Sequence, residues 1–468
     1  MNRPAHWRTR TRTAAAAAAV LSLGVLAACS SSTTSSTSAP ATSSAPAATS
    51  AASSASGSPA STAVTASSCG SQPGVAATGT PINIGAINTK QPGTDFSDIE
   101  NMTGAYFACV NANGGINGHP IKFFPVTEAT NPSQIASLAK QLITTDHVVG
   151  MAGNSSIIEC TVDAAYWKSV GVFALGAGIA PECYSTANTA SVNMGPRYSS
   201  DGAVQYVLAQ GATKIAFDQS NVPGTDYIAA GPNALAKAKG VPIQDYTENV
   251  PITSANAIAT KLVTAAGPSG AVVLNFTPPE ALLILQAAQK LNLEDRVKYW
   301  ACSTPCNTDF LATSLGPKWN GKLFVNAELL PLDGNTSPTA ELFYAVLKQY
   351  GSDVSGGVGS FSEMGFTIGE IAVHALESIT GPYTIASVSA AFKAVSGYNT
   401  GMLCQGFTYG DYPEHLPNNM DFTVTPDNGK FVEAATGGGC TLISADDPQV
   451  AQYRAVAGTA PSVNPPMS

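Results

Sequence analysis

Charged side chains are scarce in this sequence of 468 residues. They make up 11% of it, against roughly 25% in a typical soluble protein. No charged residue lies between Thr13 and Thr89, and no block of Lys or Arg follows the N-terminal arginines. The net charge is −9. Because binding to a phosphate backbone needs a basic surface, we expect no nucleic-acid partner. The hydrophobic fraction of 44% nevertheless predicts a folded core.

Catalytic motifs are also scarce. Neither Gly-x-Ser-x-Gly nor His-Glu-x-x-His occurs, which argues against two common classes of hydrolase. Residues 316–322 match the first seven positions of a P-loop, but Leu323 follows where that motif needs a Ser or Thr for magnesium. The sequence therefore predicts a protein that is not an enzyme and needs neither a cofactor nor a metal.

The N-terminal region has the order of a lipoprotein signal peptide. Four arginines precede an apolar run over residues 14–28 that is too short to span a membrane. The run ends in Leu-Ala-Ala before Cys29, which resembles the bacterial lipobox. The resemblance implies a lipid on Cys29 and a location on the outer face of the bacterial cell membrane. The alternative is an ordinary secretory signal with an incidental cysteine.

Residues 30–68 are almost entirely Ser, Thr, Ala, Pro and Gly, a composition that predicts a disordered tether. Eight further cysteines follow Cys29, and an even number in an exported chain predicts disulfides. Sequence alone allows about 105 pairings. A zinc half-site at the closest pair lacks a second close pair of ligands. Short separations favour Cys302 with Cys306, Cys160 with Cys183 and Cys404 with Cys440, which leaves Cys69 for Cys109.

From residue 81 onward, short β-rich runs alternate with longer amphipathic runs. This alternation predicts parallel sheets with helices on both faces. The number of units exceeds one compact sheet, so we expect an α/β fold of two doubly wound parallel-sheet lobes. Predicted strands span 81–85, 121–126, 148–152, 171–175, 214–218, 271–276 and 298–302, and predicted helices span 98–113, 133–144, 229–238 and 279–291. Ligands of such sheets bind beyond the carboxyl ends of the strands.

Two segments, residues 81–87 (PINIGAI) and residues 103–121 (TGAYFACVNANGGINGHPI), carry a family resemblance. They resemble the first strand, and the first helix with the hairpin after it, of the type I periplasmic binding proteins of the branched-chain amino-acid (leucine-binding) class. Further motifs follow in order at Asn131-Pro132, at 150–156 (GMAGNSS), at Pro181-Glu182 and at Pro279-Glu280. The resemblance covers residues 80 to 445 and implies two lobes joined by a three-crossing hinge, with crossings near Met194, Val325 and Cys404.

On this basis we divide the chain into a signal peptide and tether followed by two interleaved lobes. The signal peptide is 1–28 and the tether is 29–68. The first lobe is 69–197 and 326–404, and the second is 198–325 with a return and C-terminal tail at 405–468. The resemblance further implies a monomer that binds a small solute and delivers it to an ABC permease.

The loop Asn154-Ser155-Ser156 follows a predicted strand and precedes a helix, so its amides and hydroxyls can receive an oxyanion. By resemblance, this loop binds the carboxylate of the ligand. Helix N-capping is the alternative role. The next strand-end loop, Gly176-Ala177-Gly178, lacks the hydroxyl that relatives have there. Its backbone can bind a ligand, or it is a plain turn.

Four further residues are candidates for ligand binding. Thr277 follows a predicted strand, where it either contacts the ligand or caps the loop. Ser303 and Thr304 stand where the amino-acid binders place an acid for the ligand's ammonium group. Glu363, at the start of a predicted helix, can supply a displaced carboxylate or simply stabilise that helix. Phe96 and residues 221–224 are possible walls of the cleft.

The sequence thus favours a tethered receptor for a small solute. One alternative is an exported, lipid-anchored hydrolase of small amides or esters, for which Ser155 or Ser156 has no evident histidine partner. Another is a receptor of the same fold that senses its ligand without transport.

Overall fold

The computed structural model describes residues 65–409 and 415–457. The predicted signal peptide, Cys29 and all but the last residues of the predicted tether lie outside the described residues. Ala66–Cys69 form a short 3-10 helix, so regular structure begins before residue 68, the predicted end of the tether. In the described part of the chain, no helix combines the length and the apolar character that crossing a bilayer requires.

Six strands form the first sheet: β1 (Ile82–Gln91), β2 (Thr94–Asp95), β3 (Ile121–Glu128), β4 (Gly150–Asn154), β5 (Ala174–Gly176) and β6 (Thr189–Ser191). The order β3-β1-β4-β5-β6 is parallel throughout. The short β2 turns back on the end of β1 in an antiparallel pair.

Eight strands form the second sheet: β7 (Ile215–Ser220), β8 (Ile243–Glu248), β9 (Ala271–Asn275), β10 (Tyr299–Cys302), β11 (Leu323–Ala327), β12 (Met420–Asp427), β13 (Lys430–Glu433) and β14 (Thr441–Leu442). Its order is β8-β7-β9-β10-β11-β12-β13, with β14 paired to β12. The sheet is parallel from β8 to β11, and β12 then runs antiparallel to β11.

In the described residues, helices and strands largely alternate as far as β11, after which three helices and then three strands follow in succession. They are α1 (Ser97–Ala112), α2 (Pro132–Thr144), α3 (Glu159–Val170), α4 (Gly195–Ala209), α5 (Ala230–Ala238), α6 (Ala255–Ala266), α7 (Pro278–Lys290), α8 (Asp309–Leu315), α9 (Pro338–Tyr350), α10 (Ser360–Glu377), α11 (Ile385–Lys393) and α12 (Pro448–Ala457). Every strand and helix listed from the sequence overlaps an observed one. The predicted fold class, two doubly wound lobes, is confirmed.

Local sequence explains several of these boundaries. Asn131 caps α2 by accepting the backbone N–H groups of Ser133 and Gln134, and Pro132 occupies the first helical turn, where its missing N–H costs nothing. Every residue of β9 is buried. This fits an apolar run with helices on both faces rather than the alternating pattern of a half-exposed strand.

Apolar side chains are buried on both faces of each sheet. One face of the first sheet packs against α1 and α10, and α9 packs on α1, through a large cluster that includes Phe107, Phe343 and Phe366. Its other face carries a smaller cluster around Trp167 and Leu142. The second sheet likewise has two clusters. Two covered faces are what parallel sheets require.

The eight cysteines form four disulfides, in the pairs that the short separations favour. The bonds are Cys69–Cys109, Cys160–Cys183, Cys302–Cys306 and Cys404–Cys440, with Cα atoms 5.2 to 6.1 Å apart. The bond between Cys302 and Cys306 uses both thiols that a zinc ion at that position would need.

Three segments connect the two lobes: residues 192–194, residues 328–337 and the stretch between α11 and β12. The second segment begins directly after β11, three residues beyond Val325. Asn418 lies in the third segment, and its buried amide group donates to the carbonyl oxygens of Val192 (3.1 Å) and Glu328 (2.8 Å). One side chain thereby joins all three segments. Their role as a hinge, and the residue ranges assigned to the lobes, stay predictions.

Candidate functional site

A cleft lies between the two lobes, where the carboxyl ends of the strands of both sheets face each other. It encloses about 90 Å³, within a space of about 700 Å³ that includes its open mouth. The first sheet contributes residues that follow β1, β4, β5 and β6, and the second contributes residues at the ends of β7, β9, β10 and β11. This is the position at which open α/β sheets bind ligands.

The walls of the cleft are mainly apolar. Phe96 and Phe361 meet edge to face on the side of the first lobe, with ring centroids 5.3 Å apart, a favoured aromatic geometry. The other apolar lining residues are Ile99, Ile157, Ala177, Ile179, Pro196, Val222, Ile228, Phe276, Pro305 and Met364. Such walls suit a ligand with a substantial apolar surface.

A few polar side chains face this apolar space from the second lobe. Asn275 ends β9, and its side-chain oxygen accepts the hydroxyl of Ser303 (2.7 Å), which leaves its NH₂ group for a ligand. The hydroxyl of Thr304 donates to the side-chain oxygen of Asn326 (2.6 Å). On the opposite side Thr94, which follows β1, adds a hydroxyl.

Glu328 carries the only acidic side chain among the described residues that line the cleft. It follows β11, is 2% exposed, and accepts the backbone N–H of Met194 (2.7 Å). Burial raises the pKa of Glu328 to about 8, although the hydrogen bond from the backbone N–H of Met194 opposes the shift. A carboxyl group with this pKa is mostly protonated at neutral pH and can donate a hydrogen bond.

Two hydrogen bonds cross the cleft from the second lobe to the first. The hydroxyl of Thr277 donates to the carbonyl oxygen of Gly93 (3.0 Å), and the hydroxyl of Tyr227 donates to the carbonyl oxygen of Ile179. These bonds join the two sides of the mouth. The structure therefore shows the lobes in a closed arrangement.

Of the candidate ligand-binding residues taken from the sequence, Ala177, Thr277 and Thr304 line this cleft. Ser303 lies directly behind it, fully buried, and positions Asn275. Phe96 and Val222, expected as walls, also line it.

The loop of Asn154, Ser155 and Ser156 lies beside the cleft, around a separate small cavity of about 10 Å³. The hydroxyl of Ser156 donates to the carboxylate of Glu128 (2.8 Å), which the hydroxyl of Thr89 also contacts. Ser156 further accepts the backbone N–H of Glu159 in the first turn of α3 (3.1 Å). A carboxylate of the protein itself thus uses the hydroxyl that the resemblance assigns to a ligand.

Gly176 and Gly178 line the same small cavity as the Asn154 loop. A Cβ atom at Gly176 would lie 2.3 Å from the carbonyl oxygen of Asn154, and one at Gly178 would lie 2.2 Å from the hydroxyl of Ser191. Close packing of the chain explains both glycines without a ligand.

Glu363 is buried in α10 but lies away from the cleft. It faces a group that contains Asn307, Asp309 and Asp333, and Asn307 donates to its carboxyl group (3.4 Å). Burial, reinforced by the charges of Asp333 and Asp309, raises the pKa of Glu363 well above its usual value. The acid in the cleft is therefore Glu328.

Asn275, Glu328, Thr94 and Met364 line the cleft but are absent from the sequence-based candidates. Asn275 ends a strand that the sequence predicts, so its position was a usable signal. Glu328 follows β11, which was not among the predicted strands. Met364 comes close only because α10 packs against α1, a contact between residues far apart in sequence.

Residues 81–430 match the family model of the periplasmic binding proteins. This span is most of the chain and contains the whole cleft. The chain belongs to the periplasmic binding protein family. No curated protein matches the sequence of this binding protein.

Solved structures of other binding proteins share the fold. A fatty acid ABC transporter substrate-binding protein from Thermomonospora curvata is 16% identical, with a TM-score of 0.64 over 82% of this chain and 96% of its own. A solute-binding protein of an ABC transporter from R. palustris, in complex with 4-hydroxybenzoate, is 15% identical, with a TM-score of 0.63 over 77% of this chain and 96% of its own.

A third similar structure is the branched-chain amino-acid transporter substrate-binding protein from Streptococcus pneumoniae, in complex with isoleucine. It is 14% identical, with a TM-score of 0.63 over 78% of this chain and 100% of its own. At these identities the likeness shows the fold of this binding protein. The three similar proteins are described with different compounds: a fatty acid, 4-hydroxybenzoate and isoleucine.

Proposed function

We propose that this protein is the solute-binding component of an ABC transporter, which captures a small solute between its lobes and delivers it to a permease. The observation that carries the proposal is the cleft at the facing strand ends of two sheets, crossed by hydrogen bonds from one lobe to the other. Family membership and the similar structures, all of them substrate-binding or solute-binding proteins, support it.

Capture in this proposal depends on closure. A solute that contacts both walls binds the closed arrangement more tightly than the open one and so shifts the population toward closure. Asn275, Thr304 and Glu328 supply the polar contacts on one side, and Thr94 and Ala177 face them from the other. Thr277 and Tyr227 add contacts between the lobes that only the closed arrangement makes.

The proposal includes a lipid anchor on Cys29 and a tether to the outer face of the cell membrane. The order of arginines, apolar run and cysteine in the sequence supports this part. Fractionation of cells that express the full chain tests it. We expect the wild type in the membrane fraction and the Cys29→Ala variant either uncleaved or released. Equal membrane association with normal processing of the variant would exclude a lipid on Cys29.

A thermal-shift screen tests solute binding itself. The full exported chain, with its disulfides intact, is screened against amino acids, small amides, aromatic acids and fatty acids. A ligand at 100 times its Kd adds about 2.7 kcal/mol to the free energy of unfolding, which raises the Tm of a domain of this size by a few degrees. A folded protein that responds to no compound in any class would contradict the proposal.

A further inference from the structure

The lining of the cleft restricts the charge that a ligand can carry. Among the described residues that line it, none is Lys or Arg, so no cation is available to pair with a ligand carboxylate. Burying a carboxylate without a positive partner or several hydrogen-bond donors is unfavourable. The cleft therefore disfavours anionic ligands.

The loop expected to hold a carboxylate does not compensate for the missing cation. Glu128 already accepts the hydroxyls of Ser156 and Thr89. A ligand carboxylate in that place would lie next to a second carboxylate, and like charges at such distances repel. The free carboxylate of an amino acid thus has no cationic side chain to pair with on either side of the cleft among the described residues.

Cationic ligands meet a different obstacle. An ammonium group has three N–H donors, and Glu328 is the one acidic side chain in the lining. One of its carboxyl oxygens already accepts the N–H of Met194. The side-chain oxygen of Asn275 is likewise used by Ser303. The other ammonium N–H groups would have only neutral oxygens as acceptors, such as the hydroxyl of Thr94, so at most one carboxyl group would balance the charge in a mainly apolar cleft.

A neutral ligand avoids these obstacles, because it needs neither a cationic partner nor a second acidic one. The NH₂ group of Asn275 can donate to a carbonyl or hydroxyl oxygen of the ligand, and the carboxyl group of Glu328 can accept a hydrogen bond from an N–H or O–H of the ligand. Its apolar part then packs against Phe96, Phe361 and Met364. Resting on the proposed function, we infer that the cleft selects an uncharged, mainly apolar small solute that carries one hydrogen-bonding group, rather than an amino acid or a carboxylate.

Two sets of probes that differ only in charge test this inference. The first is isobutyramide, isobutyrate and isobutyramidinium, and the second is benzamide, benzoate and benzamidinium. Their affinities are measured with the folded full exported chain at pH 7 by calorimetry. We expect the amide of at least one set to bind at least about tenfold more tightly than both of its charged analogues, which corresponds to ~1.4 kcal/mol.

Tighter binding of benzoate, isobutyrate or either amidinium than of the matching amide would overturn the inference while leaving solute binding intact. Tight binding of leucine with no binding of either amide would do the same. A response to no solute, in these sets or in the broader screen, would instead count against the proposed function. The two failures are therefore distinguishable.

An Asn275→Asp variant gives a second readout. Aspartate keeps an oxygen to accept the hydroxyl of Ser303 but replaces the NH₂ donor with a negative charge. We expect at least a fivefold loss of amide affinity and a shift of preference toward the amidinium. Circular dichroism checks that the variant is folded. Unchanged affinity for all three members of a set would overturn the assigned role of Asn275, and with it the polar end of the inferred site.

Discussion

Replacement of Glu328 by glutamine should change how the stability of the protein depends on pH. Glutamine can still accept the N–H of Met194 and cannot ionise. Burial raises the pKa of Glu328 to about 8 in the folded protein, whereas an unfolded glutamate titrates near 4.3. The stabilisation that protonated Glu328 gives the folded protein is thus fully present below the unfolded pKa and is lost as the pH rises through the folded pKa.

The expected size follows from the linkage between proton binding and folding. Between pH 5 and pH 8 the folded wild type keeps a proton that the unfolded chain has lost, so this one group lowers the free energy of unfolding by ~1.4 kcal/mol per pH unit. The Glu328→Gln variant lacks this loss. We expect its stability relative to wild type to rise by about 4 kcal/mol from pH 5 to pH 8.

Urea unfolding at four pH values, with the disulfides intact, measures this difference. Buried acids that do not interact with Glu328, such as Asp218 with its pKa raised by burial to about 8, titrate alike in both proteins and cancel. Glu341→Gln, at an exposed position on α9, controls for the loss of one negative charge. Parallel stability curves for wild type and Glu328→Gln would refute the claim that Glu328 is protonated in the folded protein.

Two further predictions concern contacts between segments. Thr277→Val removes the hydrogen bond to Gly93 across the cleft. Because such a bond contributes about 0.5–1.5 kcal/mol, we expect a two- to tenfold weaker solute affinity and, by small-angle scattering, a larger fraction of open molecules. Thr277→Ser keeps the hydroxyl and should behave as wild type. Arg197→Met removes the partner of the buried Asp447, to which Arg197 makes two bonds of 2.7 Å, and should destabilise the protein by about 3 kcal/mol. The matched change Lys239→Met breaks an exposed ion pair and should lower the free energy of unfolding by less than about 1 kcal/mol. Equal losses of stability in the two variants would contradict the conclusion that the bond between Arg197 and Asp447 acts as a buried ion pair.

The alternation of strands and helices could be predicted because strand residues in a parallel sheet form short apolar runs. β8 was harder, because it has exposed polar residues on both of its faces, such as the consecutive Gln244 and Asp245. β12 pairs antiparallel with β11, a partner nearly one hundred residues earlier. Local patterns carry little information about such pairings.

The site was predictable only in part, for a physical reason. Thr277 and Thr304 follow strands, so the rule that ligands bind at strand ends places them correctly. Ser156 obeys the same rule, but its hydroxyl is used by Glu128, which ends β3, on the far side of β1 from β4, and comes within reach only in the folded chain. Likewise, Glu363 and Met364 are adjacent in α10, yet one faces a buried polar group and the other faces the cleft. Helix orientation, which the sequence alone did not give, decides between them.

The central claim is that a small solute binds between the two lobes. Calorimetric titration of wild type and Val222→Trp with isobutyramide, benzamide, benzoate and leucine tests it most directly. Val222 lies in the cleft wall in the loop after β7, and a tryptophan there would fill the space, whereas Val75→Trp at an exposed position (53%) is the control. The account predicts that a solute bound by wild type and Val75→Trp no longer binds Val222→Trp in its folded form. Equal affinity in all three proteins would place the solute outside the cleft and contradict the account.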